Sequence, residues 1–291
     1  MRTVRTVREL RDALAPERRA GRTIGLVPTM GAFHDGHLSL IRRARRDCEV
    51  VVVSLFVNPT QFAPSEDLDA YPRDELRDAR LAEAEGVDVL FAPPVEEVYP
   101  DGFATTVTVG RVTEMLEGDR TARGPSHFAG VTTVVTKLFN MAGPDVAYFG
   151  QKDAQQALVL RKLVRELDIP VRIEVCPTIR DPDGLALSSR NAYLSEAERS
   201  QALALSRALR AADAAVEAGE RDAEKVLRAA RAELDGAGIE PEYLELRSIT
   251  DLTPVERVNG STLLAVAARV GRARLIDNVV LGSGRETGEP R

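Results

Sequence analysis

Short runs of aliphatic and β-branched residues alternate with amphipathic segments through about the first 180 positions of the chain. Apolar runs of four to eight residues are typical of buried strands, whereas apolar residues that recur every three or four positions indicate helices. These patterns predict strands at 23–27, 50–57, 87–91, 146–149 and 171–175, and helices at 38–47, 73–85, 131–141 and 155–167. Apolar strands that alternate with helices indicate a parallel sheet covered on both faces, which is a Rossmann-like α/β layout.

The pattern changes beyond about residue 178. Two long segments rich in Ala, Glu and Arg predict helices at 196–218 and 223–234, and three further runs predict strands at 243–248, 263–270 and 274–281. Helices followed by short strands are typical of a small α+β domain with an antiparallel sheet. We therefore expect a Rossmann-like domain over 1–177, a smaller C-terminal α+β domain over 178–283, and a disordered tail at 284–291.

Composition limits the classes of function. The 291 residues carry a formal net charge of -6, and no block of Lys and Arg stands beside stacking aromatics, so we expect no nucleic-acid binding. No apolar stretch reaches the roughly 20 residues that span a bilayer, and residues 1–11 lack the apolar core of a secretory signal, which predicts a cytoplasmic protein without membrane association. Cys48 and Cys176 are far apart and form no zinc-ligand pattern, so we expect two buried apolar residues.

The first candidate site is the segment Pro28-Thr29-Met30-Gly31-Ala32-Phe33-His34-Asp35-Gly36-His37-Leu38, which follows a predicted strand and enters a helix. Ligands bind at the carboxyl ends of parallel strands, and backbone amides at a helix start favour anions. The spacing approaches that of a P-loop, but His37 stands where a P-loop needs lysine. His34 and His37 can instead donate hydrogen bonds to phosphate and stabilise charge in a transition state. The alternatives are a capped helix with incidental histidines and a weak metal pair without a third ligand.

Two further segments combine cations with hydroxyl, carboxylate or amide groups. Gly150-Gln151-Lys152-Asp153 follows a predicted strand and opens a helix; Lys152 suits phosphate, Asp153 can bind hydrated magnesium or cap the helix, and Gln156 can bond a carboxylate or hydroxyl. A capped surface helix explains this segment equally well. Leu187-Ser188-Ser189-Arg190 can hold phosphates through charge-assisted bonds, although helix capping is the stronger interpretation of that segment taken alone.

Neutral polar residues follow another predicted strand, in the segment Asn58-Pro59-Thr60-Gln61-Phe62. Asn58 and Gln61 can bond the hydroxyls and carboxylate of a small substrate, and the alternative is an Asn-Pro turn. Arg123, which His127 and Phe128 follow closely, is either a lid or substrate contact or a structural residue. These residues extend the candidate site beyond the groups suited to phosphate.

Taken in the order of the chain, the histidine segment, Asn58-Pro59-Thr60-Gln61-Phe62, Gly150-Gln151-Lys152-Asp153 and Leu187-Ser188-Ser189-Arg190 resemble the pantothenate synthetase family, also called the pantoate:beta-alanine ligases. The combination is far more specific than any one segment. The motifs cover about residues 20–195, and length and layout extend the resemblance to about 281. It implies a nucleotidyltransferase domain with a Rossmann-like parallel sheet that binds ATP and pantoate, and a C-terminal α+β domain that closes over the active site.

The resemblance implies a reaction in two steps. The carboxylate of (R)-pantoate attacks the α-phosphorus of ATP and releases pyrophosphate, and beta-alanine then attacks pantoyl adenylate to give pantothenate and AMP. ATP, pantoate and beta-alanine are therefore the implied partners. Magnesium and a homodimer also come with the resemblance.

The resemblance further assigns roles to residues. It makes His37 the catalytic acid, assisted by His34 and Lys152. Gln61 is implied to hold pantoate and to face beta-alanine, and Gln156 to hold pantoate. The residues implied around ATP are Met30, Gly31, Ala32, Phe33, His34, Asp35, Gly36, His37, Gly150, Gln151, Lys152, Asp153, Ile179, Leu187, Ser188, Ser189 and Arg190.

The sequence departs from the family pattern at two places. The stretch aligned with Arg-Pro-x-His-Phe reads Arg123-Gly124-Pro125-Ser126-His127-Phe128, which is one residue longer and leaves the role of Arg123 open. Gln151 replaces a glutamate often found between the glycine and the lysine. Two other functions stay open: an adenylyltransferase acting on a nucleotide or phosphopantetheine, which would not need the paired Gln61 and Gln156, and a non-catalytic nucleotide sensor.

Overall fold

The computed structural model describes residues 1–62, 68, 71–119 and 123–282, so the predicted tail at 284–291 lies outside the described residues. The chain divides into two compact units. The first comprises Met1–Gln151 and Gln155–Ile179, and the second comprises Lys152–Ala154 and the chain from Arg180 onward. Lys152, one of the residues suited to phosphate, therefore belongs to the second unit.

Six parallel strands form the sheet of the first unit. They are β1 (Arg2–Val4), β2 (Ile24–Thr29), β3 (Val50–Leu55), β4 (Val89–Phe91), β5 (Val146–Gly150) and β6 (Arg172–Cys176). Their spatial order is β1-β4-β3-β2-β5-β6. From β2 the chain runs outward to β3 and β4 and then returns to the other side of β2 for β5. The carboxyl end of β2 is therefore a topological switch point, where sheets of this kind bind ligands.

Helices cover both faces of this sheet. They are α1 (Val7–Arg19), α2 (Asp35–Asp47), α3 (Glu75–Ala84), α4 (Val95–Val98), α5 (Pro125–Ala142) and α6 (Ala154–Glu166). Val27 and Val53 pack with residues of α2 and α3 on one face. The preceding positions, Leu26 and Val52, point to the other face and are equally buried. The structure thus confirms the Rossmann-like parallel sheet that the continuous apolar strands predicted.

The structure adds two elements at the N-terminus that the sequence patterns did not predict. Strand β1 pairs three residues with β4 at the edge of the sheet, and so short a strand shows no alternation. Helix α1 begins with a capping box, in which Glu9 N donates to Thr6 Oγ1 and Thr6 N donates to Glu9 Oε2. Pro16 lies inside this helix, where proline is normally a sign of a helix end.

The second unit consists of two helices and an antiparallel sheet. The helices are α7 (Glu196–Glu217) and α8 (Ala223–Gly236), and the sheet has the order β7 (Pro241–Ser248), β8 (Thr262–Val270) and β9 (Ala273–Leu281). Alanines of both helices, including Ala208 and Ala230, are fully buried against residues of β8 such as Leu264. The predicted α+β architecture is confirmed. Within the described residues, no helix is both long and apolar enough to cross a membrane.

Candidate active site

The turn that joins β2 to α2 contains two consecutive residues with positive φ. Gly31 has a φ of +88° and Ala32 a φ of 54°. A Cβ at Gly31 would lie 2.9 Å from Leu55 Cδ1 and 3.0 Å from Asp78 Oδ2, so a larger residue does not fit. The left-handed conformation of Ala32 costs roughly 1 kcal/mol. Other contacts must therefore hold this turn in place.

The buried carboxylate of Asp78 holds the turn. Asp78 lies on α3 with 1% of its surface exposed, and its two oxygens accept hydrogen bonds from Ala32 N at 2.7 Å and Phe33 N at 2.9 Å. Arg77 lies 3.6 Å from the same carboxylate. Charge-assisted bonds to backbone amides are among the stronger hydrogen bonds in proteins. Asp78 therefore offsets the unfavourable conformation that the turn requires.

Backbone amides also fix the tautomers of both histidines in the turn. Gly36 N donates to His34 Nδ1 at 3.1 Å, and His34 N donates to His37 Nδ1 at 3.4 Å. Since each Nδ1 accepts a hydrogen bond, the ring hydrogen of each neutral imidazole is on Nε2. The two ring centroids are 4.2 Å apart. The turn therefore holds two neighbouring imidazoles, each of which carries its hydrogen on Nε2 in the neutral form.

The amides of this turn are not available to an anion in the way the sequence suggested. Ala32 N and Phe33 N are bound to Asp78, Gly36 N caps onto His34, and His37 N donates to His34 O at 2.8 Å. The start of α2 is thus capped by side chains of its own turn. An imidazole nitrogen takes the place of the usual capping oxygen. Binding of phosphate by these four amides would require each of them to give up its present partner. The imidazole rings carry the side-chain N–H groups of the turn.

Gln61 lies in a short 3₁₀ turn, Pro59–Gln61, after β3, and Asn58 orients its amide. Asn58 Nδ2 donates to Gln61 Oε1 at 3.0 Å and to Gly130 O at 3.2 Å, so both of its amide hydrogens are used within the protein. Gln61 Nε2 donates to Met30 Sδ at 3.2 Å. Among the described residues, no partner takes the second Nε2 hydrogen of Gln61. Gln61 can therefore donate to a ligand, whereas Asn58 has no amide hydrogen left for one.

The oxygen of Asn58 is equally engaged. Asn58 Oδ1 accepts from Tyr99 Oη at 2.8 Å and from Thr60 Oγ1 at 2.9 Å. Burial raises the pKa of Tyr99 above its ordinary value, so its hydroxyl stays protonated and can donate. Asn58 is 1% exposed. It is the centre of a hydrogen-bonded cluster beneath Gln61.

Helix α5 packs closely on the turn that carries Gln61. A Cβ at Gly130 of this helix would overlap the carbonyl of Thr60 and would lie 2.7 Å from Gln61 N. His127, one turn earlier, is 6% exposed, and its Nδ1 lies 2.8 Å from Gln61 O. Because a carbonyl only accepts, Nδ1 carries the hydrogen. The absence of a side chain at Gly130 thus allows α5 to fix the backbone of Gln61.

Arg123, whose role the sequence left open, contacts the other nitrogen of this histidine. Arg123 Nη1 lies 3.1 Å from His127 Nε2. Since Nδ1 carries the hydrogen, Nε2 accepts from the guanidinium. The structure therefore connects Arg123 to Gln61 through a neutral histidine, in spite of the extra residue in this segment.

Two adjacent glutamines on α6 have different environments. Gln155 is 5% exposed; its Oε1 accepts from Glu117 N, and its Nε2 donates to Val112 O and Met115 O. Gln156 is half-buried, and its side chain makes no hydrogen bond to any other described residue. Gln155 therefore holds a neighbouring loop, whereas the amide of Gln156 is available to a ligand.

In the second unit, Lys152 and Arg190 are half-buried cations without a carboxylate partner among the described residues. Lys152 lies in a short 3₁₀ turn, Gln151–Asp153, and Arg190 in another, Ser189–Tyr193. Ser188 begins the second turn, and its Oγ accepts from Arg190 N at 3.3 Å. Most other arginines near these segments are paired; Arg199, for example, binds Asp181 and Asp183. Unpaired, half-buried cations are suited to an anionic ligand.

The sequence patterns missed several residues that shape the site. Asp78 occupies the buried face of a predicted helix, where a carboxylate is the signal that would have drawn attention to it. Gly130 lies one residue before another predicted helix, so the apolar pattern did not place it on a helix face. Tyr99 and Gln155 gave no signal, because their partners come from distant segments. Gly150 is the last residue of β5, Gln151 follows it, and Ile179 lies three residues after the end of β6. Their roles in ATP binding stay predictions.

Comparison with known proteins gives one consistent result. The family model described as Pantoate-beta-alanine ligase matches residues 2–280. A curated protein named Pantothenate synthetase from Moorella thermoacetica is 52% identical over 282 residues, covering 97% of this chain and 99% of the relative. A protein of the same name from Pelotomaculum thermopropionicum is 51% identical over 281 residues, covering 95% of this chain and 98% of the relative.

Solved structures agree with the sequence comparison. Pantothenate synthetase from Thermus thermophilus superposes with a TM-score of 0.91 at 48% identity, covering 97% of this chain and 100% of that chain. A pantoate-beta-alanine ligase from Francisella tularensis, described as complexed with beta-gamma ATP and beta-alanine, gives a TM-score of 0.78 at 33% identity over 96% of this chain and 97% of that chain. Sequence, fold and site geometry together show that the chain belongs to the pantoate-beta-alanine ligase family of enzymes.

Proposed function

We propose that the protein joins (R)-pantoate to beta-alanine at the expense of ATP, through a pantoyl-adenylate intermediate. The observation that carries this proposal is the pair of Nε2–H donors on His34 and His37 at the switch point of the sheet. Family membership supplies the class of reaction, and the relative described with beta-gamma ATP and beta-alanine supports the choice of two of the substrates.

In the first step, a carboxylate oxygen of pantoate attacks the α-phosphorus of ATP. A bond forms between that oxygen and phosphorus, the bond from the α-phosphorus to the bridging oxygen breaks, and pyrophosphate leaves with the electron pair. Negative charge grows on the phosphate oxygens, and oriented donors lower its energy. The proposed role of the His34 and His37 Nε2–H groups is to bind these oxygens, with His37 as the acid.

The approach of a carboxylate to a polyphosphate brings like charges together. Lys152 and Arg190 are the cations that we assign to the phosphates, because each is half-buried and has no carboxylate partner among the described residues. Ser188 and Ser189 add hydroxyl donors next to Arg190. When the enzyme binds ATP and pantoate together, the reaction step no longer carries the entropy loss of bringing two free molecules together. We assign the role of binding, rather than proton transfer, to these groups.

In the second step, the amine form of beta-alanine attacks the acyl carbon of the adenylate. A carbon–nitrogen bond forms, the carbon–oxygen bond to AMP breaks, AMP leaves with the electron pair, and the nitrogen releases a proton to solvent. Gln61 and Gln156 each have an amide that is free to bond a substrate among the described residues, and we assign pantoate to both. Asn58 is then a positioning residue for Gln61 and not a direct contact.

Magnesium is consistent with the side chains present. Asp153 is an exposed carboxylate beside Lys152, and it makes no hydrogen bond or ion pair with other described residues. Magnesium binds proteins through one or two carboxylates and takes its other ligands from water and substrate phosphates. The described residues contain no group of three or more His, Cys, Asp or Glu that could hold a metal ion by themselves. Asp153 would hold the ion with the phosphates, and the ion would offset phosphate charge.

A half-reaction assay tests the proposed function. The enzyme is given ATP, magnesium and pantoate, and pyrophosphate is measured before and after beta-alanine is added. We expect one equivalent of pyrophosphate per active site without beta-alanine, and steady release with formation of pantothenate and AMP when it is present. Absence of pantoate-dependent pyrophosphate release would refute the proposal, and release with a nucleotide or phosphopantetheine in place of pantoate would indicate an adenylyltransferase.

The two glutamines of α6 provide a matched pair of variants. Gln156→Ala should raise the KM for pantoate by roughly 10-fold, the loss expected for one or two hydrogen bonds, and should leave the melting temperature unchanged. Gln155→Ala removes three buried hydrogen bonds and should lower the melting temperature instead. A normal KM for pantoate in the Gln156 variant would remove that residue from the substrate site.

Family membership also suggests a homodimer located in the cytoplasm, and we include both in the proposal. The assembly is measured directly by the mass of the protein in solution, for example by light scattering coupled to size-exclusion chromatography. A mass near the 31.7 kDa of one chain would rule out the dimer.

A further inference from the structure

Two adjacent polar residues of β9 have no part in the mechanism described above, although both are almost fully buried. Asp277 is 4% exposed and Asn278 is 5% exposed. Neighbouring residues of a strand point to opposite faces of the sheet, so the two side chains serve different partners. Burial of a carboxylate and an amide in the middle of a strand is unfavourable unless both are fully bonded.

Asp277 anchors the loop that leads to the Ser-Ser-Arg segment. Its oxygens accept from Arg180 Nη1 at 2.6 Å and Arg180 Nη2 at 2.9 Å, and Arg180 Nη1 also donates to Gly184 O at 3.2 Å. Arg180 pairs with Ala186 in an isolated antiparallel bridge, which closes this loop one residue before Leu187. A two-point bond between a guanidinium and a carboxylate fixes direction as well as distance. Asp277 thus fixes the base of the segment that carries Arg190.

Asn278 anchors the turn that carries Lys152. Asn278 Nδ2 donates to Lys152 O at 2.8 Å. Lys152, Asp153 and Ala154 belong to the same compact unit as β9, although they are distant from it in sequence. The amide of Asn278 therefore holds the backbone of the residue whose side chain we assign to phosphate. Asn278 N in turn donates to Asp277 Oδ1 at 2.8 Å, so the two residues belong to one hydrogen-bonded cluster.

We infer that Asp277 and Asn278 are positioning residues for nucleotide binding: from one point on β9, they fix the backbones that carry Lys152 and Arg190. This inference rests on the proposed function, since it assumes that these two cations bind ATP. A long, flexible lysine or arginine is effective only if its backbone is held, because a displacement near 1 Å can cost about 100-fold in rate. The proposed role of Asp277 and Asn278 is indirect and involves no contact with the substrate.

Two variants remove the anchors one at a time with little change in shape. Asn278→Asp replaces the donor to Lys152 O by an oxygen, and Asp277→Asn removes the charge that holds Arg180. Asn278→Ala is a second variant at the first position in case the added carboxylate prevents folding. Asn259→Ala is the control, because Asn259 caps a loop of the same unit through Ser261 N and Thr262 Oγ1 and, among the described residues, makes no hydrogen bond to either cation-bearing segment.

Affinity for a non-hydrolysable ATP analogue and the single-turnover rate of pyrophosphate release are measured together with the melting temperature. We expect the Asn278 and Asp277 variants to weaken analogue binding and to slow pyrophosphate release by roughly 10-fold to 100-fold, with the KM for beta-alanine unchanged. The Asn259 variant should lower the melting temperature without either effect. Equal nucleotide affinity in the anchor variants and the control would overturn the inference.

A double-mutant cycle with Lys152→Ala separates positioning from general stability. If Asn278 acts through Lys152, then Asn278→Ala should weaken analogue binding much less in the Lys152→Ala background than in the unmodified enzyme. Fully additive effects would contradict the inference for Asn278. The unmodified enzyme distinguishes this failure from that of the proposed function: if it shows no pantoate-dependent pyrophosphate release, the proposed function fails, whereas normal release with additive effects refutes only the positioning role.

Discussion

His34 and His37 each combine a structural role, which the contacts of the ring show, with the chemical role that we propose for the same side chain. The Nδ1 atom of each ring accepts a backbone hydrogen bond, which caps the helix and leaves the ring hydrogen on Nε2. The same bond that stabilises the turn therefore sets the tautomer that can donate to phosphate. Substitution by alanine removes both roles at once, so it cannot separate them.

Two amide substitutions at His37 separate capping from catalysis. In His37→Asn the side-chain oxygen can occupy the place of Nδ1 and cap the turn, but the distal donor is lost. In His37→Gln the amide nitrogen reaches the region of Nε2, and the cap is lost. We expect His37→Asn to lower the single-turnover rate of pyrophosphate release by roughly two to four orders of magnitude, within the range for acid catalysis and charge stabilisation, and His37→Gln to lose less.

The melting temperature should rank the two variants in the opposite order, with His37→Asn closer to the unmodified protein, because a lost cap costs about 1 kcal/mol. If both variants retain the normal single-turnover rate, His37 is not the acid. If the glutamine variant is the slower of the two, the assignment of Nε2 as the donor is wrong.

Asp78 is the residue whose charge holds the histidine turn. Asp78→Asn keeps the shape but provides a single acceptor oxygen, so one of the amides of Ala32 and Phe33 loses its partner. A buried donor left unsatisfied costs about 1 to 3 kcal/mol. We expect a loss of that size in the free energy of unfolding measured with urea, together with slower pyrophosphate release.

A matched control for Asp78 is Asp74→Asn, because Asp74 caps the start of the same helix through Arg77 N, and asparagine caps equally well. Asp74→Asn should change neither stability nor activity. A stable and fully active Asp78→Asn would show that the turn keeps its conformation without the carboxylate.

At the scale of elements, the core strands and long helices were predictable because their apolar pattern is local. The strands β2, β3 and β5 and the helices α7 and α8 agree with the predicted ranges to within a few residues. Strand β1 was missed because three residues at a sheet edge carry no periodic signal. Helix α5 begins at Pro125, earlier than predicted, because Gly124 and Pro125 supply the start that the apolar pattern alone does not show.

The proximity of His34 and His37 was predictable, because the two residues are three positions apart in one turn. Supports from distant segments were not predictable. Asp78 binds a loop 46 residues away, and Asn278 binds a carbonyl 126 residues away. The direct role of Asn58 was also overestimated, since its residue type suggests a ligand contact but its hydrogen bonds are all made within the protein.

The contact between α5 and the turn of Gln61 gives a prediction at the scale of elements. Gly130→Ala places a methyl group against the carbonyl of Thr60 and the amide of Gln61, so one of the two elements must move. Overpacking of this kind costs roughly 1 to 3 kcal/mol. We expect a lower urea midpoint and a KM for pantoate raised by about 10-fold, the scale of a lost hydrogen bond.

Gly236→Ala is the matched control for this substitution. Gly236 is also a helical glycine, at the end of α8, and a Cβ there would meet nothing within 4 Å. Alanine favours a helix over glycine, so this variant should be as stable as the unmodified protein or slightly more stable. If Gly130→Ala behaves in the same way, the close packing on the Gln61 turn does not constrain the substrate site.

At the scale of the whole molecule, each unit has its own core and its own buried polar anchors. In the first unit, Asp78 and Asn58 fix the histidine turn and Gln61; in the second, Asp277 and Asn278 fix the segments of Lys152 and Arg190. Each anchor is a buried polar side chain that binds backbone or a partner side chain with little exposure to water. Buried polar networks are costly unless complete, and complete ones specify a single conformation.

Buried thiols make the stability of the whole molecule depend on alkaline pH. Cys48 and Cys176 are both buried, as the sequence predicted, and burial raises the pKa of the Cys176 thiol from 9.0 to about 11. Between these values the unfolded chain has lost this proton while the folded chain keeps it. The folded state then binds more protons, so stability must fall as pH rises. The contribution of this thiol to the free energy of unfolding is unaffected below pH 9 and is lost as the pH approaches 11.

Cys176→Ala isolates this effect. A shift of two pKa units corresponds to roughly 2 to 3 kcal/mol, so the free energy of unfolding in urea should fall less steeply between pH 9 and pH 10.5 in the variant than in the unmodified protein. The difference in slope is the measured quantity, because the substitution also leaves a small cavity that lowers stability equally at every pH. Tyr148 and Cys48, whose pKa values burial also raises, remain in both proteins and cancel in the comparison. Identical slopes would mean that Cys176 ionises in the folded protein with an ordinary pKa.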